Sequence, residues 1–456
     1  MTDVLRDQRF PAGFVWGAAT ASYQIEGAAS EGGRGESIWD RFCATPGKVR
    51  AGDDGRVACD FYHRYAADIV LMQELGIDAF RFSVAWPRIV PEGRGLVNSA
   101  GLDFYDRLVE ALLAAGIEPV ATLYHWDLPQ ALEDEGGWTS RGTGDAFVTY
   151  ARHVVERLGD RVSRWITHNE PWVAAWLGYG WGMHAPGRTS ERDALAAAHH
   201  LLVSHGLAVD AIRGACPSAS VGISLNLFPI DPASDDEADR DAARHADGFN
   251  NRWFLDPLYH GAYPEDMVST FGDAMPRVEA DDMAAIATRT DFLGVNYYTR
   301  HVVEATEARP TLVPVPGADH TDMGWEVYPE GLRTLLGRLQ RDYAPPELLI
   351  TENGAAFADV RRHDGQICDL ERVSYLARHI DAVERSVADG VPVKGYFAWS
   401  LLDNFEWAFG YSKRFGLIYV DYPTLERVPK SSFSWYRDRI AAARAPSAGE
   451  TAGAES

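Results

Sequence analysis

Cysteine is scarce in this chain: Cys43, Cys59, Cys216 and Cys368 are scattered through 456 residues. None stands at the short paired spacing of a zinc site, and four widely separated thiols do not make a disulfide scaffold. Positive charge is also in deficit, with 43 Lys and Arg against 66 Asp and Glu and a formal net charge of -23. This disfavours binding to a phosphate backbone or an anionic lipid surface by simple electrostatics, and mainly favours solubility. No run of 18 apolar residues occurs, and Met1 to Phe10 is polar, with charges of both signs and no apolar signal-peptide core. The expectation is a cytoplasmic enzyme without a membrane or nucleic-acid partner. Pro/Ser-rich linkers are missing too. The chain therefore reads as one domain, although its length alone would suggest about three.

What is present is an ordinary core-forming composition, 46% hydrophobic and 24% charged, with a heavy aromatic load of 14 Trp, 19 Tyr and 19 Phe. Most of those rings are core, but flat aromatic faces also suit the apolar faces of sugars.

Short apolar runs alternate with helical periodicity along most of the chain. Runs beginning at Phe14, Asp78, Glu118, Arg164, Ser220, Asp291, Glu347 and Val393 read as strands. Helical spacing covers 60–75, 101–115, 145–158, 193–213, 330–341 and 371–389, with Gly76 and Gly116 closing the first two. The Gly-rich stretch 31–55 reads as loop, and 231–247 as an acidic, solvated helical face. Eight strands nearly all followed by helices imply the α/β class, with a parallel sheet closed into a single (β/α)8 TIM barrel carrying long βα loops. The barrel is expected over residues 1–440, and the Ala/Gly/Ser/Glu-rich end, 441–456, as a disordered tail.

Two of these strands end in carboxylates. Leu348-Leu349-Ile350-Thr351 delivers Glu352, and Arg164-Trp165-Ile166-Thr167-His168-Asn169 delivers Glu170 before Pro171. In a parallel barrel, chemistry sits at the C-terminal ends of the strands. A buried carboxylate is costly unless its charge is used, and Arg81, inside an otherwise apolar strand, is a candidate partner. Two carboxyl groups across one glycosidic bond suffice to hydrolyse it. A spacing of about 5 Å gives retention, whereas roughly 6.5 to 9.5 Å admits water and gives inversion. The sequence leaves that spacing open.

The runs 14–27, 81–88, 125–129, Asn169-Glu170-Pro171, Asn296-Tyr297-Tyr298, Thr351-Glu352-Asn353-Gly354 and 399–407 resemble, in order, the motifs of the family 1 glycoside hydrolases, the β-glucosidases and their relatives. The resemblance runs from about Phe10 to Ile440. It implies a retaining enzyme with Glu170 as acid/base and Glu352 as nucleophile, acting on small β-glucosides and cello-oligosaccharides without cofactor or metal. It places Gln24, His125, Trp126, Asn169, Trp399, Glu406 and Trp407 around the terminal sugar, and has Arg81 and Tyr298 hold the nucleophile. Asn296, Trp325 and Phe415 are expected in support, Trp325 as an aromatic platform for the leaving group. His168 departs from the apolar residue more usual before the Asn-Glu pair.

A 6-phospho-β-glucosidase is the nearest competitor. Its relatives carry a small hydroxyl residue in place of Glu406 and a Tyr in place of Phe415, although Lys413 is present. A non-catalytic sugar-binding barrel would have lost one of the two carboxylates. The natural leaving group, the oligomeric state and the balance of hydrolysis against transglycosylation stay open.

Overall fold

The structure is a computed structural model and describes residues 10–307 and 310–445. Eight parallel strands form a closed barrel: β1 (Val15–Ala19), β2 (Ala79–Ser83), β3 (Glu118–Tyr124), β4 (Arg164–Asn169), β5 (Ser220–Asn226), β6 (Phe292–Asn296), β7 (Leu348–Asn353) and β8 (Val393–Trp399). Each strand pairs with its neighbours in chain order, and β8 closes on β1 in a register running from Val15 opposite Gly395 to Ala19 opposite Trp399. All eight expected strands are present, with ends shifted by a residue or two.

Side chains fill the lumen. Val15, Val120, Ile166, Phe292, Leu349 and Phe397 pack together there, apart from the larger core between strands and helices. Gly17 makes room for one of them, since a Cβ at that position would lie 2.3 Å from the Phe397 ring. The opposite strand faces pack on a ring of helices that includes Phe61–Leu75, Ser99–Ala114, Arg141–Leu158, Glu191–Ala215, Pro329–Asp342 and Leu370–Ala388. Glu191–Ala215 is long and apolar enough to cross a membrane by length and composition, yet 72% of its apolar window is buried inside the domain. It packs against Arg141–Leu158 and the segment after β4, as a core helix does.

Three expectations need correction. The stretch 31–55 contains the helix Ile38–Ala44, started by a capping box in which Ser37 and Asp40 satisfy each other's backbone N–H. Within the acidic approach 231–247, the helix spans only Glu237–Asp247, because Ile230–Pro232 pairs as a strand with His301–Glu304. The last helix, Ser431–Arg444, passes the boundary expected at 440. Ile440 is buried and Arg444 donates to Asp78 at 2.5 Å, so this last turn is tied to the barrel. The remainder of the expected tail, 446–456, lies outside the described residues.

Candidate active site

The two carboxylate-bearing strands share an irregularity. β4 slips against β5 between Ile166 and Asn169, and β7 slips against β6 between Ile350 and Glu352. An extra residue in a strand re-aims the side chains that follow it. On β4 this turns both Thr167 and His168 outward to the helix Glu191–Ala215. Thr167 Oγ1 bonds His205 Nδ1 at 2.7 Å, and His168 Nε2 bonds Ser204 Oγ at 2.9 Å. Asn169 then faces the pocket. On β7 the slip lets Thr351 and Glu352 both face inward, Thr351 Oγ1 donating to Asn296 Oδ1 at 2.7 Å. Gly354 follows because a Cβ there would strike the Trp399 carbonyl oxygen at 1.7 Å.

Glu352 is 3% exposed and doubly held: Arg81 Nη1 donates to Oε1 at 2.7 Å and the Tyr298 hydroxyl to Oε2 at 2.6 Å. Arg81, fully buried, spends its other donors on Thr351 O, Thr122 Oγ1 and Asn169 Oδ1. Glu170 is 6% exposed, and its one side-chain donor is neutral, Asn296 Nδ2 to Oε1 at 2.7 Å. The same Asn296 amide also donates to Asn169 Oδ1 at 3.0 Å. The two carboxyls are joined through a short chain of bonds, since Arg81 donates to Glu352 and to Asn169 Oδ1 while Asn296 donates to that same Asn169 oxygen and to Glu170.

Their protonation differs accordingly. Burial and then the Glu352 charge hold Glu170 well above the usual carboxylate range. Burial also raises Glu352, but the Arg81 charge and the Tyr298 phenol oppose it, so Glu352 is the one of the pair that stays ionised. A third carboxyl, Glu406, is pushed up to about 8 by burial and then by Glu352. At neutral pH the resting pocket therefore holds one carboxylate against one guanidinium, with two neutral acids beside them.

The sugar-sized wall is built from the other expected residues. Asn169 Oδ1 accepts from Arg81 at 2.6 Å and from Asn296 at 3.0 Å, which fixes its amide orientation. Asn169 Nδ2 donates to His125 Nε2 at 3.1 Å, leaving one amide hydrogen for a ligand. His125 is held neutral by burial and by Arg81, so its proton sits on Nδ1, which is buried without a partner. Gln24 Nε2 is occupied by Asn404 Oδ1 and Phe405 O, while Gln24 Oε1 is buried and unpaired. The pocket thus offers a free acceptor, a free imidazole donor and a free amide hydrogen, a set suited to ring hydroxyls.

Trp399 stacks on His125 at 5.9 Å and 19°, and Trp407 lies 4.5 Å from Trp126. The Trp126 indole N–H is taken by the Asn169 carbonyl at 2.9 Å, so Trp126 presents only its ring. Trp325 and Phe415 both adjoin Tyr298, at 5.2 and 6.1 Å. Every expected site residue is thus gathered at this one end of the barrel. Glu170, Trp126 and Trp407 hold left-handed backbones, with φ of 49°, 78° and 50°. Each such non-glycine residue costs of order 1–3 kcal/mol and persists only where surrounding packing imposes it.

The loop after β8 is bolted from below. Asp403 accepts from Arg414 Nη1 and Lys430 Nζ, both at 2.6 Å, which fixes the chain just before Glu406. Sequence reasoning missed His184, whose ring lies 5.5 Å from Trp126 and 6.3 Å from Trp407. It also missed Tyr23 and Trp39, which back Trp407 at 6.3 and 4.6 Å. Tyr23 stands inside the first motif and could have been found there. His184 carries no periodic signal, because its segment follows a π-helix, Val173–Gly180.

Fold and site together define a (β/α)8 hydrolase built around a pair of unequal carboxyls. The chain belongs to glycosyl hydrolase family 1, whose family model matches residues 6–444. It is 49% identical over 436 residues to β-glucosidase A of Thermotoga maritima, covering 95% of this chain and 98% of that one. It is 46% identical over 461 residues to a bifunctional β-D-glucosidase/β-D-fucosidase of Bifidobacterium breve, covering 95% and 98%. The solved structure of a Thermotoga maritima β-glucosidase in complex with glucoimidazole superposes with a TM-score of 0.94 at 48% identity, over 96% of this chain and 99% of that one.

Proposed function

We propose that this chain is a retaining β-glucosidase that removes terminal non-reducing β-D-glucosyl residues from small β-glucosides and cello-oligosaccharides, with β-fucosides and β-galactosides as secondary substrates. The observation that carries the reading is the asymmetry of the pair: one carboxyl is gripped by a cation and a phenol, the other by a neutral amide, and Asn169 joins the two sets by accepting from both Arg81 and Asn296. The β-glucosidase and β-glucosidase/β-fucosidase names of its relatives agree with it.

In the first half-reaction the Glu352 carboxylate attacks the anomeric carbon from below the ring. Glu170 passes its proton to the departing oxygen as the glycosidic bond breaks. The product is an α-linked glucosyl ester on Glu352. Esterification removes the charge that helped hold Glu170 protonated, so the proton affinity of Glu170 falls just when a base is needed. Glu170 then takes a proton from water, which attacks from above, breaks the ester and restores the β configuration. Asn169's remaining amide hydrogen supports the 2-hydroxyl, where a hydrogen bond strengthens as positive charge develops on the ring. Gln24, Glu406 and His125 sort the outer hydroxyls. Glu406 can address both the 4- and 6-hydroxyls, which leaves discrimination at the 4-position incomplete.

A phosphorylated sugar is a poorer fit. The argument rests less on repulsion, since Glu406 is largely protonated at neutral pH, than on the want of a cation: Lys413 is engaged by Asp322 at 3.0 Å. A non-catalytic role leaves the pairing of Glu170 with Glu352 without a purpose. The test is Glu352→Ala with an activated aryl β-glucoside and external azide. Turnover should vanish and return as α-glucosyl azide, by a single displacement in the vacated space. A β-azide would overturn the assignment of Glu352 as nucleophile.

A further inference from the structure

Of the chain's fourteen tryptophans, Trp181 alone is exposed, at 44%. A single exposed apolar side chain such as Leu96 is ordinary and carries no message. Trp181 differs in how it is supported. Phe249 lies nearly parallel to it at 6.2 Å and 18°, Trp172 meets it edge-on at 5.4 Å and 79°, and Trp176 is 6.2 Å away. Its backbone N–H donates to Trp176 O at 2.8 Å, and the next carbonyl, of Gly182, accepts from Lys48 Nζ at 3.3 Å. The ring is therefore held in place before any ligand arrives, which lowers the entropy cost of binding against it.

Its position is set by its neighbours on both sides in the chain. Trp172 stands two residues after Glu170, and His184, three residues beyond Trp181, packs on Trp126 and Trp407 in the sugar pocket. The segment 172–184 thus leaves the acid and returns to the sugar pocket at His184, and Trp181 and Met183 are its exposed side chains. An immobilised, solvent-facing indole continuous with the acid's own loop is a surface on which a sugar ring can lay its apolar face.

We propose that Trp181, backed by Phe249 and Trp172, is a platform for the second sugar of the leaving group in a β-linked glucan chain, one unit beyond the sugar released from the scissile bond. This rests on the glucosidase reading above and adds a preference for chain length. It places the enzyme downstream of reactions that shorten β-glucans to oligosaccharides rather than only to disaccharides.

The experiment compares kcat/KM on cellobiose, cellotriose and cellotetraose for the unaltered protein, Trp181→Ala and Trp181→Phe, with p-nitrophenyl β-glucoside as a substrate too short to reach the platform. The unaltered protein should favour cellotriose over cellobiose. Trp181→Ala should lower cellotriose and cellotetraose turnover by roughly threefold to tenfold, the worth of one aromatic face, and leave cellobiose and the aryl glucoside unchanged. Trp181→Phe should keep most of the preference. An unchanged cellotriose-to-cellobiose ratio in Trp181→Ala overturns the proposal, as does an equal loss on the aryl glucoside, or a loss confined to bulky aryl glucosides. Failure of the unaltered protein on every β-glucoside would instead bring down the function proposed above, so the two failures are told apart.

Discussion

Asn169-Glu170 closes β4 and Glu352-Asn353 closes β7: the same two residue types in opposite order, at strand ends that both slip register just beforehand. Their surroundings then diverge. Around Glu352 the barrel collects a guanidinium and a phenol, and Asn353 is buried in a separate set of bonds to Tyr297 O and the Tyr396 hydroxyl. Around Glu170 it supplies one amide, while Asn169 turns into the pocket as a ligand in its own right. Identical side-chain chemistry is thus divided into an ionised and a protonated member by what stands within 3 Å of each, and that division is what a two-step displacement needs.

The contrast can be broken at graded cost. Glu352→Ala should reduce kcat by roughly 10⁵-fold or more, since it deletes the bond-forming group outright, and azide should restore turnover. Glu170→Ala should lower kcat/KM on cellobiose by about 10²–10⁴-fold. On dinitrophenyl β-glucoside, whose leaving group needs no proton, the loss of bond cleavage should be far smaller, and equal losses on both substrates would count against an acid role. Tyr298→Phe removes a donor that favours the charged form of Glu352 and should cost roughly tenfold or more in kcat/KM. The sign in pH follows from that bond. Tyr298 pulls the Glu352 pKa down, its loss lets the pKa rise, and the acid limb of the kcat/KM profile should move to higher pH while the basic limb, set by Glu170, stays near its place. A limb that moves down would refute the bond's role. The smallest effect is expected from His168→Leu. His168 faces the helix side of the β4 slip, where it stacks on Phe147 at 4.4 Å, so kcat/KM should stay within about twofold and stability should change by about 1 kcal/mol. A large loss of activity would mean that the slip depends on the His168–Ser204 bond.

Much of this was legible in the residues. The eight strands could be read because their apolar runs are short and bounded by glycine, proline or a helical pattern, and family motifs at the strand ends named the pocket. The register slips could not be read, because a period-two pattern carries no mark for an extra residue whose neighbours are all buried. Nothing in the chain order indicated that Asn296, on a third strand, would hold both Asn169 and Glu170. The helix Ile38–Ala44 was hidden by glycines on either side, although Ser37 and Asp40 stood at capping distance. His184 was out of reach for a different reason: the π-helix before it gains residues per turn, and the usual helical spacing no longer tells which side chain turns toward the pocket.

The left-handed backbones at Trp126, Glu170 and Trp407 carry a practical lesson for anyone wishing to harden this molecule against heat. At Glu170, asparagine or glycine would sit more comfortably, and a selection that rewarded survival alone would accept either; at Trp126 and Trp407 the cavity left by a buried indole would cost more than the strain it relieved. The Glu170 variants would be sturdier and would lack the proton donor that natural substrates need. Durable improvement has to come from the outer helices and their surface, leaving the mouth of the barrel as uncomfortable as it is.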